Sequence, residues 1–144
     1  MPKCTLTRRI TFAAAHRYRR PEWSDEQNIA TFGACAWPNF HGHGYTCDVT
    51  VVGAIDPLTG FIVDLGLLDD ILRSEVRDRF DHRNINTDVP AFADGKLIPS
   101  GENLAKFIFE RVQERMQEAL GDRTHVTAVT IAEDPTLSTT YAVG

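Results

Sequence analysis

The chain has 144 residues, a formal net charge of -5 and a pI of about 5.5, with 42% hydrophobic and 24% charged residues. That length suits one domain over residues 1–144 and is short for two, and the composition is that of an ordinary soluble globular protein. The acidic balance excludes a nucleic-acid binder that works by broad phosphate neutralisation, though a metal ion and a few arginines could still hold a small anion. No apolar run approaches the roughly 18 residues of a membrane span.

Residues 5–14 alternate, with Leu6, Ile10, Phe12 and Ala14 on one parity and Thr5, Thr7, Arg9 and Thr11 on the other. This predicts a half-buried strand that carries His16 to its apolar face if it stays extended. Residues 17–40 have no clean period and contain Pro21, Gly33 and Pro38, which reads as a long functional loop. Alternation resumes over 43–55 through Tyr45, Cys47, Val49, Val51 and Ile55, ahead of an Asp56-Pro57-Leu58-Thr59-Gly60 turn. A first helix is predicted over 64–80 from Leu65, Leu68, Leu72, Val76 and Phe80, with Asp64 as N-cap. A second runs over 101–120, capped by Ser100 and ended by Gly121, with a buried stripe of Leu104, Phe107, Ile108, Val112, Met116 and Leu120. Two further strands, near 126–133 and 137–143, flank Asp134-Pro135-Thr136. This order implies an α+β fold, a four-stranded antiparallel sheet with two helices on one face. Its uncovered strand edges invite pairing with further copies of the chain.

Three cysteines, Cys4, Cys35 and Cys47, form no CxxC pair, so a disulfide framework is not expected and a cytoplasmic setting is. The start of the chain shows no signal-peptide pattern. The most informative feature is His41-Gly42-His43. On a strand, residues two apart share a face, so these imidazoles stand side by side, and His16 ends the other alternating run. Three histidines at strand ends, with no fourth ligand evident, suit an open zinc site that keeps one position for water or substrate. Cys4 and Cys47 read as small buried hydrophobes, and His125 as structural.

Several motifs in order resemble the 6-pyruvoyl-tetrahydropterin synthase and 6-carboxy-tetrahydropterin synthase family. They are Phe12-Ala13-Ala14-Ala15-His16, Cys35 separated by five residues from His41-Gly42-His43-Gly44-Tyr45, and Ile55-Asp56-Pro57-Leu58-Thr59-Gly60. Asp81-His82-Arg83-Asn84-Ile85-Asn86, Pro99-Ser100-Gly101-Glu102-Asn103-Leu104-Ala105, and Glu133 eight residues before Tyr141 complete the set. The resemblance implies the tunnelling fold, in which subunits join sheets into a barrel as trimers or hexamers with active sites at their interfaces. It implies a zinc-dependent lyase acting on 7,8-dihydroneopterin triphosphate. The pyruvoyl type eliminates triphosphate and yields 6-pyruvoyl-tetrahydropterin, a step of tetrahydrobiopterin biosynthesis. The carboxy type, in queuosine biosynthesis, releases acetaldehyde and triphosphate; it commonly has three residues between its cysteine and HGH, whereas five stand here. A non-catalytic pterin-binding oligomer and a three-histidine zinc hydrolase are further alternatives.

By the same resemblance, His16, His41 and His43 bind the zinc and Cys35 is the general base, its thiol needing a lowered pKa. Asp81 and His82 supply a second acid/base function, on Cys35 of another subunit among other partners. Glu133 holds the pterin ring, and Glu102 is either a second ring contact or favourable charge at a helix start. Asp134 and Gly44 stand where the family often has Thr and Asn. Arg17, Arg19, Arg20 and Arg83 lie near the motifs but carry no assigned role.

Overall fold

The computed structural model describes residues 2–144. Strand β1 (Cys4–His16) runs antiparallel to β2 (His41–Gly53), in unbroken register from Cys4 opposite Gly53 to His16 opposite His41. β2 pairs on its far side with β4 (Thr124–Asp134), through a bulge at Thr50/Val51, and β4 pairs with β5 (Leu137–Ala142). The expected four strands are therefore present. A fifth, β3 (Arg83–Asn84), is only two residues long and runs parallel to β1 at Ala14 and Ala15, giving the order β3-β1-β2-β4-β5. It was invisible in the sequence because two residues carry no period.

One face of the sheet is apolar. Phe12, Ala14, Tyr45, Cys47, Val49, Val51, Val126, Val129 and Ile131 are buried there, against two helical segments. The first is α2 (Leu65–Leu72), capped by the Asp64 carboxylate, which accepts from Gly66 N at 2.9 Å. It does not continue as one regular helix to Phe80, since a π turn over Arg73–Arg77 separates it from α3 (Asp78–Phe80). That wider turn carries Glu75, whose carboxylate is held between Arg79 at 3.2 Å and Arg115 at 3.7 Å. Leu68, Ile71, Leu72, Val76 and Phe80 are buried as their spacing requires, whereas Leu65 is exposed at the helix start. A short α4 (Ile85–Asp88) follows β3.

The second packed helix, α5 (Gly101–Leu120), has the predicted bounds, with Ser100 Oγ accepting from Asn103 N at 3.2 Å and Gly121 at positive φ. Its stripe is narrower than expected at the ends, because Phe107 and Leu120 are half-buried. The long loop is not structureless, for it contains α1 (Asp25–Phe32), capped by Ser24, and a 3-10 turn over Gly33–Ala36. β2 ends at Gly53, so Ile55 lies outside the strand and is exposed, and Cys4 is exposed at the start of β1 instead of buried.

The other face carries short polar side chains. Thr7 and Thr50 hydroxyls meet at 2.8 Å, Thr130 and Thr140 at 2.6 Å, and Arg9 forks onto Asp48 at 2.7 and 3.0 Å. Cross-strand pairs of this kind stabilise a sheet without apolar burial.

Gly101 opens α5 against β5. A Cβ there would stand 2.8 Å from Thr139 Oγ1 and 3.2 Å from Thr139 Cβ. Gly101→Ala should therefore lower stability by about 1–3 kcal/mol through overpacking, despite the better helix propensity of alanine. Urea unfolding of Gly101→Ala, alone and with Thr139→Ala, measures it. The second change should recover part of the loss, and a stabilised single variant would show that the close approach does not matter.

Candidate metal centre and its surroundings

The register of β1 on β2 brings His16 and His41 face to face, and the two-residue period adds His43 on the same side. The three rings meet nearly edge to face, with centroids 4.7–5.1 Å apart, and their ligating nitrogens all lie within 4.8 Å of one another. His16 Nε2 and His41 Nε2 are only 3.1 Å apart. His16 is fully buried, and burial, then the neighbouring His41 and His43, pushes its pKa down to about 3; His41 is lowered by burial and His43. Both rings are thus poised as neutral imidazoles, the form that ligates a metal. His16 Nδ1 stands 2.9 Å from the Tyr45 hydroxyl. With Nδ1–H donating to that oxygen, Nε2 keeps its lone pair for the cluster. Three convergent imidazole nitrogens, with His16 buried and neutral, fit a divalent metal cation.

Tyr45 was missed as a site residue, although its parity with His41 and His43 placed its side chain on their face. It stacks on Phe12 at 4.8 Å, and Phe12 stacks in turn on Phe80. Tyr18 was missed too, within the stretch without period. Its ring lies 4.8 Å from that of His16, and its hydroxyl donates to Glu133 Oε1 at 3.0 Å. Burial and the Glu133 carboxylate raise the Tyr18 phenol above its ordinary range, so it stays a donor.

Cys35 sits in the 3-10 turn, half-buried, with Sγ 4.0 Å from His41 Nε2. The segment after β1 straps its loop down. Tyr18 N donates to Cys35 O at 2.8 Å, Arg19 Nη1 to Ala36 O at 2.7 Å, and Arg17 Nη1 to Pro38 O at 3.0 Å. Arg17 N is held in turn by Asn86 Oδ1 at 2.9 Å. Within the protein alone the Cys35 thiol is raised, by burial and then by Glu133, opposite to the lowering expected of a base. A cation brought to the histidines would act in the lowering sense.

Glu133 lies near the end of β4, its side chain 12% exposed, with Oε2 3.9 Å from His43 Nε2. Its neighbour Asp134 is exposed and turns away, accepting from Thr136 N and Oγ1. Glu102 is exposed in the first turn of α5 and makes no hydrogen bond or ion pair among the described residues.

Asp81 and His82 stand apart from this cluster within the chain. Asp81 Oδ1 accepts from Ala13 N at 2.9 Å, and Asp81 Oδ2 lies 3.0 Å from His82 Nδ1. His82 N donates to Ala13 O at 2.6 Å, so the pair is pinned to the β1 edge, with the His82 side chain 84% exposed. The Ala13 N–H and the imidazole hold the Asp81 carboxyl below its ordinary value. The structure thus brings His16, His41, His43, Cys35 and Glu133 together, and leaves Asp81, His82 and Glu102 outside that group.

A family model described as 6-pyruvoyl tetrahydropterin synthase matches residues 5–143. A human protein named 6-pyruvoyl tetrahydrobiopterin synthase is 41% identical over 109 residues, covering 76% of this chain and 74% of its own. The Drosophila melanogaster protein of that name is 40% identical over 120 residues, 81% of this chain and 68% of its own. The solved structure of Caenorhabditis elegans 6-pyruvoyl tetrahydropterin synthase superposes with a TM-score of 0.89 at 35% identity, covering 100% of this chain and 98% of that one. No helix among the described residues is long and apolar enough to cross a membrane.

A pH dependence follows from His16. The unfolded chain protonates this ring near its ordinary 6.5, whereas the fold holds it neutral to about 3. Between those values the unfolded state binds more protons, so metal-free protein should lose stability as pH falls through that window. The slope should reach about 1.4 kcal/mol per pH unit. Urea midpoints of chelator-treated protein, taken from about pH 7 to about pH 4, measure it. His16→Gln should flatten the slope, and equal slopes in both proteins would remove His16 as the source.

Proposed function

The chain belongs to the 6-pyruvoyl tetrahydropterin synthase family, and on that footing we propose that residues 1–144 form one domain of a lyase that converts 7,8-dihydroneopterin triphosphate to 6-pyruvoyl-tetrahydropterin and triphosphate. One observation carries the reading. A half-buried thiol and a carboxylate both stand against a cluster of three imidazoles. We read the first as a proton acceptor and the second as a pterin anchor, both beside a cation site.

In this reading His16, His41 and His43 hold Zn²⁺, which supplies Lewis acidity to the hydroxyls of the substrate side chain. Cys35 takes a proton from that side chain, held in place by the hydrogen bonds from Tyr18, Arg19 and Arg17 to its loop. The strap matters because proton transfer needs heavy atoms within hydrogen-bond reach, and a turn left free to move would lose that geometry. Glu133 accepts from the N–H donors of the pterin edge, a charged and paired recognition suited to a guanidine-like group. Glu102, exposed at the start of α5, reads better as favourable charge at that helix end than as a ring contact.

Asp81 and His82 form a second acid/base pair that works on the thiol or the substrate of a neighbouring copy. That neither touches Cys35 among the described residues supports this, as do the edges left unpaired. β1 meets β3 only at Ala14 and Ala15, so its earlier residues and all of β5 offer open edges to other copies. Such edges support a homo-oligomer, the trimer or hexamer that the family resemblance implies. The unpaired cysteines are in keeping with a reducing cytoplasm. The five residues between Cys35 and His41, and relatives named for the pyruvoyl product at about 40% identity, favour that product over the carboxy one.

Purified protein should carry about one zinc per subunit by elemental analysis, and removing the metal should abolish turnover. Cys35→Ala should keep its zinc and lose at least about a hundredfold in kcat. Mass analysis of the pterin should show the three-carbon side chain retained. Full activity without metal, or in Cys35→Ala, would overturn the mechanism, and a product short of two carbons would reassign the reaction.

A further inference from the structure

Tyr18 touches both of the groups between which the substrate must fit. Its backbone N–H donates to Cys35 O at 2.8 Å, and its hydroxyl donates to Glu133 Oε1 at 3.0 Å. Its ring is held in turn, 4.8 Å from the centroid of His16 and 6.0 Å from that of Phe32. One residue therefore ties the turn that carries the thiol to the strand that carries the carboxylate, across the mouth of the imidazole cluster.

The Glu133 carboxylate needs such a restraint. Apart from Tyr18, the nearest polar group recorded on it is His43, with Nε2 3.9 Å from Oε2. Asp134, the next residue, takes no part, being engaged with Thr136. Released from the phenol, the carboxylate could rotate toward the imidazoles, and a carboxylate is itself a ligand for zinc. Held by the phenol, it keeps Oε2 and a second lone pair of Oε1 for two N–H donors, because each carboxylate oxygen accepts more than one hydrogen bond. A planar donor edge of the kind a pterin presents needs such a pre-oriented pair of acceptors, since orientation bought in advance is not lost on binding.

We propose that Tyr18 is a positioning residue for substrate recognition. It orients the Glu133 carboxylate for the pterin edge and sets the separation between that anchor and Cys35. This rests on the reading that Glu133 holds the pterin, and deepens it by naming the group that aims the anchor. It also divides the residue into two separable halves: the amide that steadies the Cys35 turn and the hydroxyl that steadies Glu133.

Tyr18→Phe removes the hydroxyl alone and keeps the ring packing and the amide. The zinc-loaded enzyme and its variants are titrated with neopterin, an unreactive pterin without triphosphate, by calorimetry, and assayed with the triphosphate substrate. Tyr18→Phe should weaken neopterin binding about tenfold, the scale of one hydrogen bond to a charged group. In turnover the loss should fall mainly on KM, whereas a merely structural defect would fall on kcat and zinc content. In a Glu133→Ala background, already weakened for neopterin, Tyr18→Phe should add less than about twofold, because the hydroxyl then has no carboxylate to aim. Neopterin binding unchanged in Tyr18→Phe, or a full additional loss in the double variant, overturns the inference while leaving Glu133 as the anchor. Neopterin binding unchanged in Glu133→Ala overturns the reading beneath it.

Discussion

Everything at the site depends on the pairing of β1 with β2. Their register is unbroken for thirteen residue pairs and ends with His16 opposite His41. Side chains alternate along a strand, so a slip of one residue would send His16 to the threonine face and leave His41 and His43 with two donors. The hydrophobic pattern prevents that slip. Phe12 and Ala14 on β1, with Tyr45, Cys47, Val49 and Val51 on β2, are buried on the same face as the imidazoles. Moving them to the exposed face would cost roughly 1.5–3 kcal/mol for each large side chain. The three imidazoles therefore inherit their positions from the core, and the candidate metal site needs no separate scaffold.

The same face also sets the chemistry of the ligands. His16 is fully buried beneath Tyr18 and beside Tyr45, and burial favours its neutral form. A protonated imidazole repels a cation, so the desolvation that penalises charge on His16 prepares it to ligate. Burial acts in the opposite sense on Cys35, favouring the thiol over the thiolate. One environment thus favours neutral His16 and disfavours ionisation of the Cys35 thiol. A cation held at the imidazoles would oppose the second effect, and would thereby link the ionisation of the thiol to occupancy of the site.

What the sequence made legible was whatever repeats. The alternation of β1 and β2, the stripe and both caps of α5, and the shared parity of His41, His43 and Tyr45 all follow from periods of 2 and 3.6. Helix α1 was hidden because Asp25-Glu26-Gln27-Asn28 gives it no apolar stripe. Its buried Asn28 works through polarity instead, accepting from Arg20 N and donating to the carbonyls of Arg20 and Ser24. The strap formed by Arg17, Tyr18 and Arg19 was hidden for a related reason. It holds the Cys35 loop through backbone groups, and a hydrogen bond to a carbonyl leaves no mark on which side chains occur there. The π turn at Arg73–Arg77 kept Val76 and Phe80 on the buried side, so the break in the helix was masked by a pattern that survived it. The family resemblance suggested a role for Asp81 and His82, but not that both are fastened to one residue of β1.

That fastening explains an otherwise unfavourable backbone. His82 has φ of 58°, the only non-glycine residue among those described with positive φ. The left-handed region costs a non-glycine residue about 1–2 kcal/mol, and such strain persists only where the surroundings impose it. Here three contacts impose it: Ala13 N to Asp81 Oδ1, His82 N to Ala13 O, and Asp81 Oδ2 against His82 Nδ1. The left-handed turn lets the main chain reach back to the sheet edge and then enter β3, while the imidazole projects away from the fold. A ring tied at Nδ1 and 84% exposed keeps Nε2 for whatever lies outside its own chain. The strained turn thus presents an imidazole outward, at the edge of the sheet that also carries His16 to the imidazole cluster.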